Sequence, residues 1–331
     1  MKTKKRIVMS GVMFLLCFML ASTAGAAQKA LICYSNDVND NGFNQSANQG
    51  ATRALSKYSQ DLTLEGFINT KELALKAADI TNFDEKWSFV IGIGTEYEPI
   101  FREAAKKHPL TKYIVVDSTA TSTLHNLQCV SFNNEEMGYL AGVMAAATST
   151  AKKIGFIGYD KNNLGTKEFL TGFTKGAAVV EPLTLIKSKF VKSYNNPKKL
   201  AGLADELYDS KMDVIFAAAG GSGQGLWKAA EKHKSFFIGC DTDQAKVVPA
   251  KIRPYVLSSV VKNMNNTVYG CIQECMEGKF KAGQKEMDYR NGGISYIENN
   301  DNRDKLAKAS EALLDAHAQL TLNQADLPAV K

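Results

Sequence analysis

The sequence predicts an α/β protein built on parallel sheets. Short apolar runs alternate with amphipathic helical patterns from residue 29 onward, and most of these runs are apolar on both faces. Strands that are buried on both faces are typical of parallel sheets, because the connecting helices cover both sides. Strand–helix alternation at this spacing also favours right-handed crossovers between neighbouring strands.

Eight runs are predicted as strands because each is short, largely apolar and bounded by polar or turn-forming residues. They are Lys29–Tyr34, Leu62–Phe67, Ser88–Ile93, Lys112–Asp117, Lys153–Gly158, Leu183–Phe190, Asp213–Ala218 and Ser235–Asp241.

Helices between the strands are predicted from apolar side chains spaced three and four residues apart. Asn69 and Glu72 are spaced like a capping box and predict a helix start, while Glu135 and Glu136 favour another helix N-terminus. Three helical stripes are Ala47-Ala51-Ala54-Leu55-Tyr58, Met137-Leu140-Ala141-Met144 and Leu306-Ala309-Leu313-Ala316-Leu320.

The first 26 residues have the features of a secretory signal peptide. Four cations within the first six residues precede the apolar stretch Ile7–Leu20, and Ala24-Gly25-Ala26 supplies a small-x-small cleavage pattern. The stretch is shorter than the roughly 20 residues that a membrane-spanning helix needs. Cys17 follows Leu16 rather than a small residue, so lipid attachment is not expected. The prediction is a periplasmic protein exported through a cleaved signal peptide.

Charge and composition exclude several function classes. The net charge of +6 includes the four N-terminal cations, so the remaining chain is close to neutral and nucleic acid is not an expected partner. Five of the six cysteines lie beyond residue 26, and an odd number argues against a disulfide framework. Cys271 and Cys275 lie one helical turn apart, and their redox state stays open. The four histidines lack metal-ligand spacing, so neither a metal nor a cofactor is predicted.

Length favours two structural units. Removal of the signal peptide would leave about 305 residues, whereas single cores stop growing at roughly 250–300 residues.

Candidate binding residues follow the strands, because ligands of open α/β sheets bind outside the carboxyl ends of the strands. The residues at these places offer aromatic rings, carboxylates, amides and one lysine, but no arginine to clamp a carboxylate or phosphate. A neutral ligand with a flat face and several N–H or O–H donors fits this set. The residues are Asn36, Asp37, Asp40, Phe43, Asp117, Tyr194, the glycine-rich run 219–225, Asp241 and Lys262.

Each of these features also has a purely structural explanation. Phe43 is either one wall of an aromatic binding site or a hydrophobic staple at a helix start. The glycine-rich run lacks the features of a phosphate-binding loop and is interpreted as a tight strand–helix turn whose backbone lies close to a ligand. Asp241 and Asp243 fit a helix N-cap pair, and Lys262 fits a solvent-facing lysine.

Several segments, in the same order and at similar spacing, resemble the basic membrane protein family of ABC-importer solute-binding proteins, whose best understood members are purine-nucleoside receptors. The resemblance covers nearly all of the chain beyond the signal peptide. The segments are NDNGFNQSANQG, FVIGIG, YIVVD, SFNNEEMGYLAGVMAA, IGFIGY, SYNNPKKLAGLADELYDSKMDVIFAAAGGSGQG, FIGCDTDQ, SSVVKN and NGGI.

The resemblance implies a type I periplasmic binding fold, in which two doubly wound α/β lobes joined by a hinge close on a ligand. The expected lobes are residues 27–131 plus 262–289 and residues 132–261 plus 290–331. Crossovers between them are expected near Ser131–Asn133, Ser258–Lys262 and Tyr289–Gly293.

The resemblance also implies roles for individual residues. An aromatic sandwich falls on Phe43 and Tyr194, although phenylalanine is the common residue at the second place. The carboxylate that reads the base falls on Asp117. The ribose contacts fall on Asp241 and Lys262, with the backbone of the glycine-rich turn beside them. The full set of predicted ligand-binding residues is Asn36, Asp37, Phe43, Asn44, Asp117, Tyr194, Gly220, Gly221, Asp241 and Lys262.

The turn after the first strand departs from the family pattern. It is shorter and offers Asn36 followed by Asp37 where the family usually has an aspartate and a glycine-rich turn. An amide at that place adds a donor and removes a charge, which would alter the base preference.

The predicted function is therefore that of a monomeric solute-binding protein, not an enzyme, which delivers a nucleoside-like ligand to a membrane permease. Two further functions stay open: a receptor for a sugar or other small polar solute, and an exported nucleoside-cleaving enzyme.

Overall fold

The strands form two six-stranded sheets in the computed structural model, which describes residues 27–35, 37–39, 42–68 and 87–322. The first sheet contains β1 (Gln28–Tyr34), β2 (Leu62–Ile68), β3 (Phe89–Ile93), β4 (Lys112–Val116), β5 (Leu127–Phe132) and β11 (Gly283–Met287). The second contains β6 (Lys153–Gly158), β7 (Leu185–Phe190), β8 (Val214–Ala218), β9 (Phe236–Asp241), β10 (Val256–Lys262) and β12 (Ile294–Glu298).

Both sheets have the same winding pattern. The strand order is β11-β5-β4-β3-β1-β2 in the first sheet and β12-β10-β9-β8-β6-β7 in the second. Strand pairs are parallel throughout the described sheets except β10 with β12, which run antiparallel. The prediction of an α/β protein with parallel sheets is confirmed.

Helices connect the strands and cover the sheets. Asn133, Asn163 and Asn196 start three of the helices, and each accepts a hydrogen bond from a backbone N–H of the first turn. Within the described residues, no helix has both the length and the apolar character needed to cross a membrane. The helices are α1 (Phe43–Lys57), α2 (Glu98–Lys107), α3 (Asn134–Thr148), α4 (Leu164–Val180), α5 (Pro197–Asp209), α6 (Gly225–His233), α7 (Gln244–Val247), α8 (Met264–Met276), α9 (Arg303–Leu306) and α10 (Ser310–Leu322).

All eight predicted strands are confirmed, with ends that shift by at most two residues. β2 and β7 are edge strands, and β7 is largely exposed, so the doubly apolar pattern does not extend to them. The predicted strands did not include β5, β10, β11 and β12. The helix predicted from Asn69 and Glu72 lies outside the described residues.

The predicted helical stripes are largely buried, with two differences. α3 is buried around nearly its whole circumference from Met137 to Ala146 rather than along one stripe, because it packs against α4, α10 and the second sheet. In the first helix, Leu55 is 36% exposed although Ala47, Ala51 and Ala54 are buried.

The chain passes between the two sheets three times, and hydrogen bonds tie these passages together. Asn133, after β5, donates its backbone N–H to Met287 O at the end of β11 over 2.9 Å. Asn263, after β10, donates to Gly293 O over 2.8 Å. The third passage, between β11 and β12, therefore contacts both of the others. The passages lie beside the expected crossovers, and the division of the chain into lobes at those boundaries stays a proposal.

Four glycines allow α3 and α4 to pack with their backbones in close approach. A Cβ atom at Gly138 or Gly142 of α3 would overlap a backbone carbonyl oxygen of α4, and one at Gly172 or Gly176 of α4 would overlap a carbonyl oxygen of α3. Small residues are needed here because two helix backbones, rather than movable side chains, form the contact.

Gly172→Ala is therefore expected to destabilise the protein. The new methyl group would overlap the Glu135 carbonyl oxygen, and forcing the helices apart should lower the free energy of unfolding by about 3 kcal/mol. Gly202→Ala in exposed α5 is the matched control, because a Cβ there meets nothing within 4 Å. It should raise stability by about 0.5–1 kcal/mol, since alanine is the better helix former. Equal effects of the two variants in urea unfolding would contradict the close packing.

A partly buried carboxylate also joins two of the chain passages. Glu136 Oε2, in the first turn of α3, accepts the backbone N–H of Tyr289 over 2.8 Å. Burial raises the pKa of the Glu136 carboxyl to about 7, and the nearby Asp288 and Glu286 act in the same direction, whereas the Tyr289 N–H and Arg290 oppose the shift. The folded protein therefore holds a proton on Glu136 at pH values where the unfolded chain has lost it.

Stability should consequently fall as the pH rises through this interval. Because the folded pKa of Glu136 lies above its ordinary value of 4.5, its contribution to the free energy of unfolding should decline between about pH 4.5 and 7. The loss should be roughly 1–2 kcal/mol after allowance for solvent screening. Glu136→Gln keeps an acceptor for Tyr289 and should remove this component. Urea unfolding of both proteins from pH 5 to 8 tests it, and parallel stability curves would contradict the assignment.

Candidate functional site

The candidate site lies where both sheets reverse their winding direction. In the first sheet β1 lies between β2 and β3, and in the second sheet β6 lies between β7 and β8. At such points the helices leave a crevice outside the carboxyl ends of the strands. Residues from both sides line one cavity, because Gly42 and Phe43 at the start of α1 face it together with Gly220 and Asp241 of the second sheet.

Lys262 connects the two sides at the centre of the site. This last residue of β10 has a side chain that is only 9% exposed, and its Nζ donates a hydrogen bond to Asp117 Oδ1 over 3.0 Å. The same Nζ lies 3.6 Å from Asp241 Oδ1. Asp117 follows β4 of the first sheet and Asp241 ends β9 of the second, so one ammonium group pairs with a carboxylate from each side.

The two carboxylates hold Lys262 in its charged form. Burial alone would lower the pKa of Lys262, but the negative charges of Asp117 and Asp241 more than offset this effect and raise the pKa above its ordinary value. Lys262 is therefore a fixed, buried cation, and the explanation of it as a solvent-facing lysine is wrong.

Both aspartates have left-handed backbone conformations. The φ angles are 70° at Asp117 and 68° at Asp241. Aspartate tolerates this region better than most residues, although it still costs free energy. The conformation ends each strand abruptly and places the carboxylate beside Lys262.

Tyr194 packs against the glycine-rich turn. Its side chain is 52% exposed, and Gly220, with φ of 54°, lies against it so closely that an added Cβ would be 3.3 Å from Tyr194 Cδ1. Ser222, which is fully buried, receives a hydrogen bond from Asn196 N over 2.8 Å and donates its hydroxyl to Ser193 O over 2.7 Å. The turn therefore fixes the loop that carries Tyr194.

The ring of Tyr159 stacks on that of Tyr194. Their centroids are 4.1 Å apart and the rings are inclined by 10°. Tyr159 directly follows β6, so the rule that directs attention to strand ends could have identified it, but it was not among the predicted residues. Stacking on Tyr159 restricts the orientation of the Tyr194 ring.

Phe43 contacts both the core and a cavity. It is partly buried and packs against the main cluster of buried apolar side chains, as a staple would. It also lines the first cavity, together with Gly220, Gly221 and Asp241. The volume of this cavity is about 440 Å³. A second cavity of about 420 Å³ contains Asp241 and Lys262 and continues towards Asn263 and the exposed side of α1.

The remaining predicted residues near β1 have structural contacts. Asn44 is buried, and its Oδ1 accepts hydrogen bonds from Ser35 N and Ser35 Oγ, both over 3.1 Å, which fastens α1 to the end of β1. Asp37 Oδ1 accepts from Asn39 N over 2.9 Å. Neither residue lines the two cavities, and Asn36 lies outside the described residues.

Local geometry also decides how the glycine-rich run and the Asp241–Asp243 pair are explained. The glycine-rich run is a short 3₁₀ turn, Gly220–Gln224, between β8 and α6, which confirms the interpretation as a tight turn. Asp243 occupies the N-cap position of α7, but its side chain makes no capping hydrogen bond and pairs instead with Lys246 over 3.2 Å. The N-cap position is therefore confirmed for Asp243, without a capping hydrogen bond, and the N-cap explanation is wrong for Asp241.

The described part of the chain was also searched for metal-binding groups and for paired cysteines. No group of three or more His, Cys, Asp or Glu side chains there is placed to hold a metal ion. Cys271 and Cys275 are both free and buried in α8, as are the thiols of Cys33 and Cys129 in the first sheet.

Comparison with known proteins identifies the family. The model of the PnrA-like ABC transporter substrate-binding protein family, Bmp, matches residues 27–318. The chain is 29% identical over 309 residues to the ABC transporter nucleoside-binding protein BmpA of Lactococcus lactis, an alignment that covers 86% of each protein. It is also 29% identical over 301 residues to a CD4+ T-cell-stimulating antigen of Listeria monocytogenes, over 85% of this chain and 84% of that protein.

A solved structure shows the same architecture. The ABC transporter solute-binding protein from Conexibacter woesei superimposes with a TM-score of 0.72 over 92% of this chain and 99% of its own, at 18% identity. The expected type I periplasmic binding fold of two doubly wound α/β lobes is confirmed. With its strand-end site and a family match that spans residues 27–318, this chain belongs to the PnrA-like family of ABC transporter substrate-binding proteins.

Proposed function

We propose that this protein binds a purine nucleoside between its two lobes and delivers it unchanged to the permease of an ABC importer. A substrate-binding protein of an ABC system has a small-molecule ligand and a membrane permease as its partners. The nucleoside would lie with its base between Phe43 and Tyr194 and with its sugar at Asp241 and Lys262.

One carboxylate carries this proposal. Asp241 lines both cavities, and its side chain is 28% exposed. Lys262 Nζ lies 3.6 Å from Asp241 Oδ1 and donates its hydrogen bond to Asp117 instead, so the accessible part of the Asp241 carboxylate is available to accept a charge-assisted hydrogen bond from a ligand hydroxyl. Vicinal sugar hydroxyls supply two such donors side by side.

The aromatic groups suit a flat base. Phe43 lines the first cavity with a partly buried ring, and Tyr194, which stacks on Tyr159, is 52% exposed beside the glycine-rich turn. The Asp117 carboxylate accepts a hydrogen bond from Lys262 at Oδ1. A carboxylate can accept several hydrogen bonds, so Asp117 can also accept from N–H donors on the edge of the base. A purine has both the flat faces and the polar edge that this arrangement requires.

Charge at the site selects against anions. Two carboxylates and one ammonium group leave one net negative charge, and a neutral ligand rich in donors compensates it, whereas a phosphate adds repulsion. The name of the Lactococcus lactis relative, a nucleoside-binding protein, supports the same ligand class.

Ligand binding would be coupled to lobe closure. The predicted contacts come from both sides, with Phe43 and Asp117 on the first-sheet side and Tyr194 and Asp241 on the second. A ligand that contacts both sides binds the closed state more tightly and shifts the population towards it. The permease would then recognise the closed form of a monomeric protein, which the predicted signal peptide directs to the periplasm.

Calorimetric titration with inosine, guanosine, adenosine, cytidine, ribose and galactose tests the proposal. At least one purine nucleoside should bind with a Kd between micromolar and nanomolar, which corresponds to about −8 to −12 kcal/mol. Unchanged nucleoside after overnight incubation is the expected result for a receptor. Binding of ribose or galactose without any nucleoside would favour a sugar receptor, and release of free base would favour the enzyme.

Asp241→Asn should weaken purine nucleosides about 10- to 100-fold, because it replaces a charge-assisted acceptor at the sugar, and should weaken the free bases much less. Asp205→Asn is the matched control, since that carboxylate also pairs with a lysine, Lys232 at 3.0 Å, but lines neither cavity. It should leave both affinities unchanged. Equal losses for nucleosides and bases in Asp241→Asn would contradict the sugar assignment.

A further inference from the structure

A carboxylate that the proposed function does not use lies beside the crevice of the first sheet. This sheet contains the strand order β2-β1-β3-β4-β5, and in such a sheet the crevice opens between the ends of β1 and β3. Phe43 follows β1 on one side of it. On the other side β3 is followed by the short 3₁₀ turn Thr95–Tyr97, whose middle residue is Glu96. Asp117 follows β4, the next strand of the sheet.

Two contacts hold this turn against the segment that carries Asp117. The Gly94 backbone N–H donates to Val116 O over 2.9 Å, and Thr95 Oγ1 lies 3.5 Å from Ser118 Oγ. Val116 and Ser118 are the chain neighbours of Asp117 on either side. The turn after β3 and the Asp117 segment therefore form one unit at the carboxyl edge of the sheet.

The Glu96 carboxylate lies over the end of β3. Gly94 has a φ angle of 122°, and a Cβ atom added to it would overlap the Glu96 carboxylate, so the side chain folds back across the strand end. Tyr97, the next residue, is fully buried and donates its hydroxyl to Tyr34 O at the end of β1 over 2.9 Å. The turn is therefore anchored in the core, and its carboxylate is held at the edge where the crevice opens.

Glu96 has no cation to compensate its charge. No ion pair joins it to another described residue, whereas the Asp117 carboxylate is paired with Lys262. Although Glu96 is exposed as a whole residue, the protein around its carboxyl group displaces enough water to raise the pKa of Glu96. Its own backbone N–H opposes this shift, and the negative charge of Asp117 adds to it. The two carboxylates therefore repel each other.

Two neighbouring carboxylates favour a ligand edge with two adjacent N–H donors. Each donor can form a charge-assisted hydrogen bond, and the pair would also relieve the repulsion between Glu96 and Asp117. Guanine presents N1–H and the N2 amino group side by side on one edge. Hypoxanthine lacks the amino group, and adenine presents an N1 lone pair beside its amino group, which would leave one carboxylate without a donor.

We infer that Glu96 is a specificity-determining residue, which together with Asp117 binds the N1–H and N2 amino edge of guanine and makes the protein prefer guanosine to inosine and adenosine; this inference rests on the proposed function. One carboxylate would accept from N1–H and the other from the N2 amino group. A site built to hydrogen-bond a donor discriminates strongly against an analogue that lacks it, because the acceptor then loses its partner.

Calorimetry on the unmodified protein tests the preference with guanosine, inosine and adenosine. Guanosine should bind about 10- to 100-fold more tightly than inosine, which differs from it only by lacking the N2 amino group. Equal affinities, or a preference for inosine or adenosine, would overturn the inference and leave the proposed function standing. Absence of binding by all three nucleosides would contradict the proposed function and, with it, the inference.

Glu96→Gln provides an independent test, because it removes the charge and nearly preserves the size of the side chain. The Kd for guanosine should rise about 10-fold, while the Kd for inosine should stay within about threefold of its normal value. Glu103→Gln in α2 is the matched control. That carboxylate is 58% exposed and pairs with Lys106 over 2.7 Å, so its replacement should leave both affinities unchanged.

Circular dichroism should show that both variants are folded. A guanosine-to-inosine ratio that is unchanged in Glu96→Gln would assign the N2 amino group to another acceptor. An equal loss of affinity for both nucleosides would show a general effect on the site rather than a reading of the base. Either result would overturn the inference.

Discussion

The arrangement of the site depends on one buried ammonium group shared between two carboxylates. Lys262 pairs with Asp117 at 3.0 Å and lies 3.6 Å from Asp241, and these partners belong to different sheets. Removing either carboxylate would leave a buried cation less well compensated, which is among the costliest defects in a protein interior. The three charges therefore constrain one another: they keep Lys262 protonated and leave a single net negative charge facing the ligand. This constraint favours neutral ligands that donate hydrogen bonds.

Lys262 also connects ligand binding to the chain passages between the lobes. It is the last residue of β10, and the next residue, Asn263, bonds to Gly293 in the third passage. That passage is bonded in turn to the first through Glu136 and Tyr289. In the proposed function, a ligand that changes the hydrogen bonds of Lys262 would act within one residue of a segment that joins the two sheets. The glycine contact between α3 and α4 brings two helix backbones together, which leaves little room for these helices to slide.

The sequence predicted the architecture better than the details of the site, for physical reasons. Apolar periodicity is local, so it identified some of the described helices and eight strands, but β11 has the polar sequence GQKEM and pairs at a sheet edge, where no such pattern is required. Asp117, Asp241 and Lys262 were each identified, yet their association depends on sheet order and on two left-handed φ angles, which a sequence does not display. Tyr159 follows β6 directly and was detectable.

The most direct test of the central claim is a crystal structure of the protein with a bound purine nucleoside such as inosine. We expect the base to lie between the rings of Phe43 and Tyr194, with its polar edge at Asp117. The sugar hydroxyls should lie within hydrogen-bond distance, about 2.5–3.2 Å, of Asp241 and Lys262. A nucleoside bound away from the Asp117–Lys262–Asp241 group, or one whose sugar contacts none of these side chains, would contradict it.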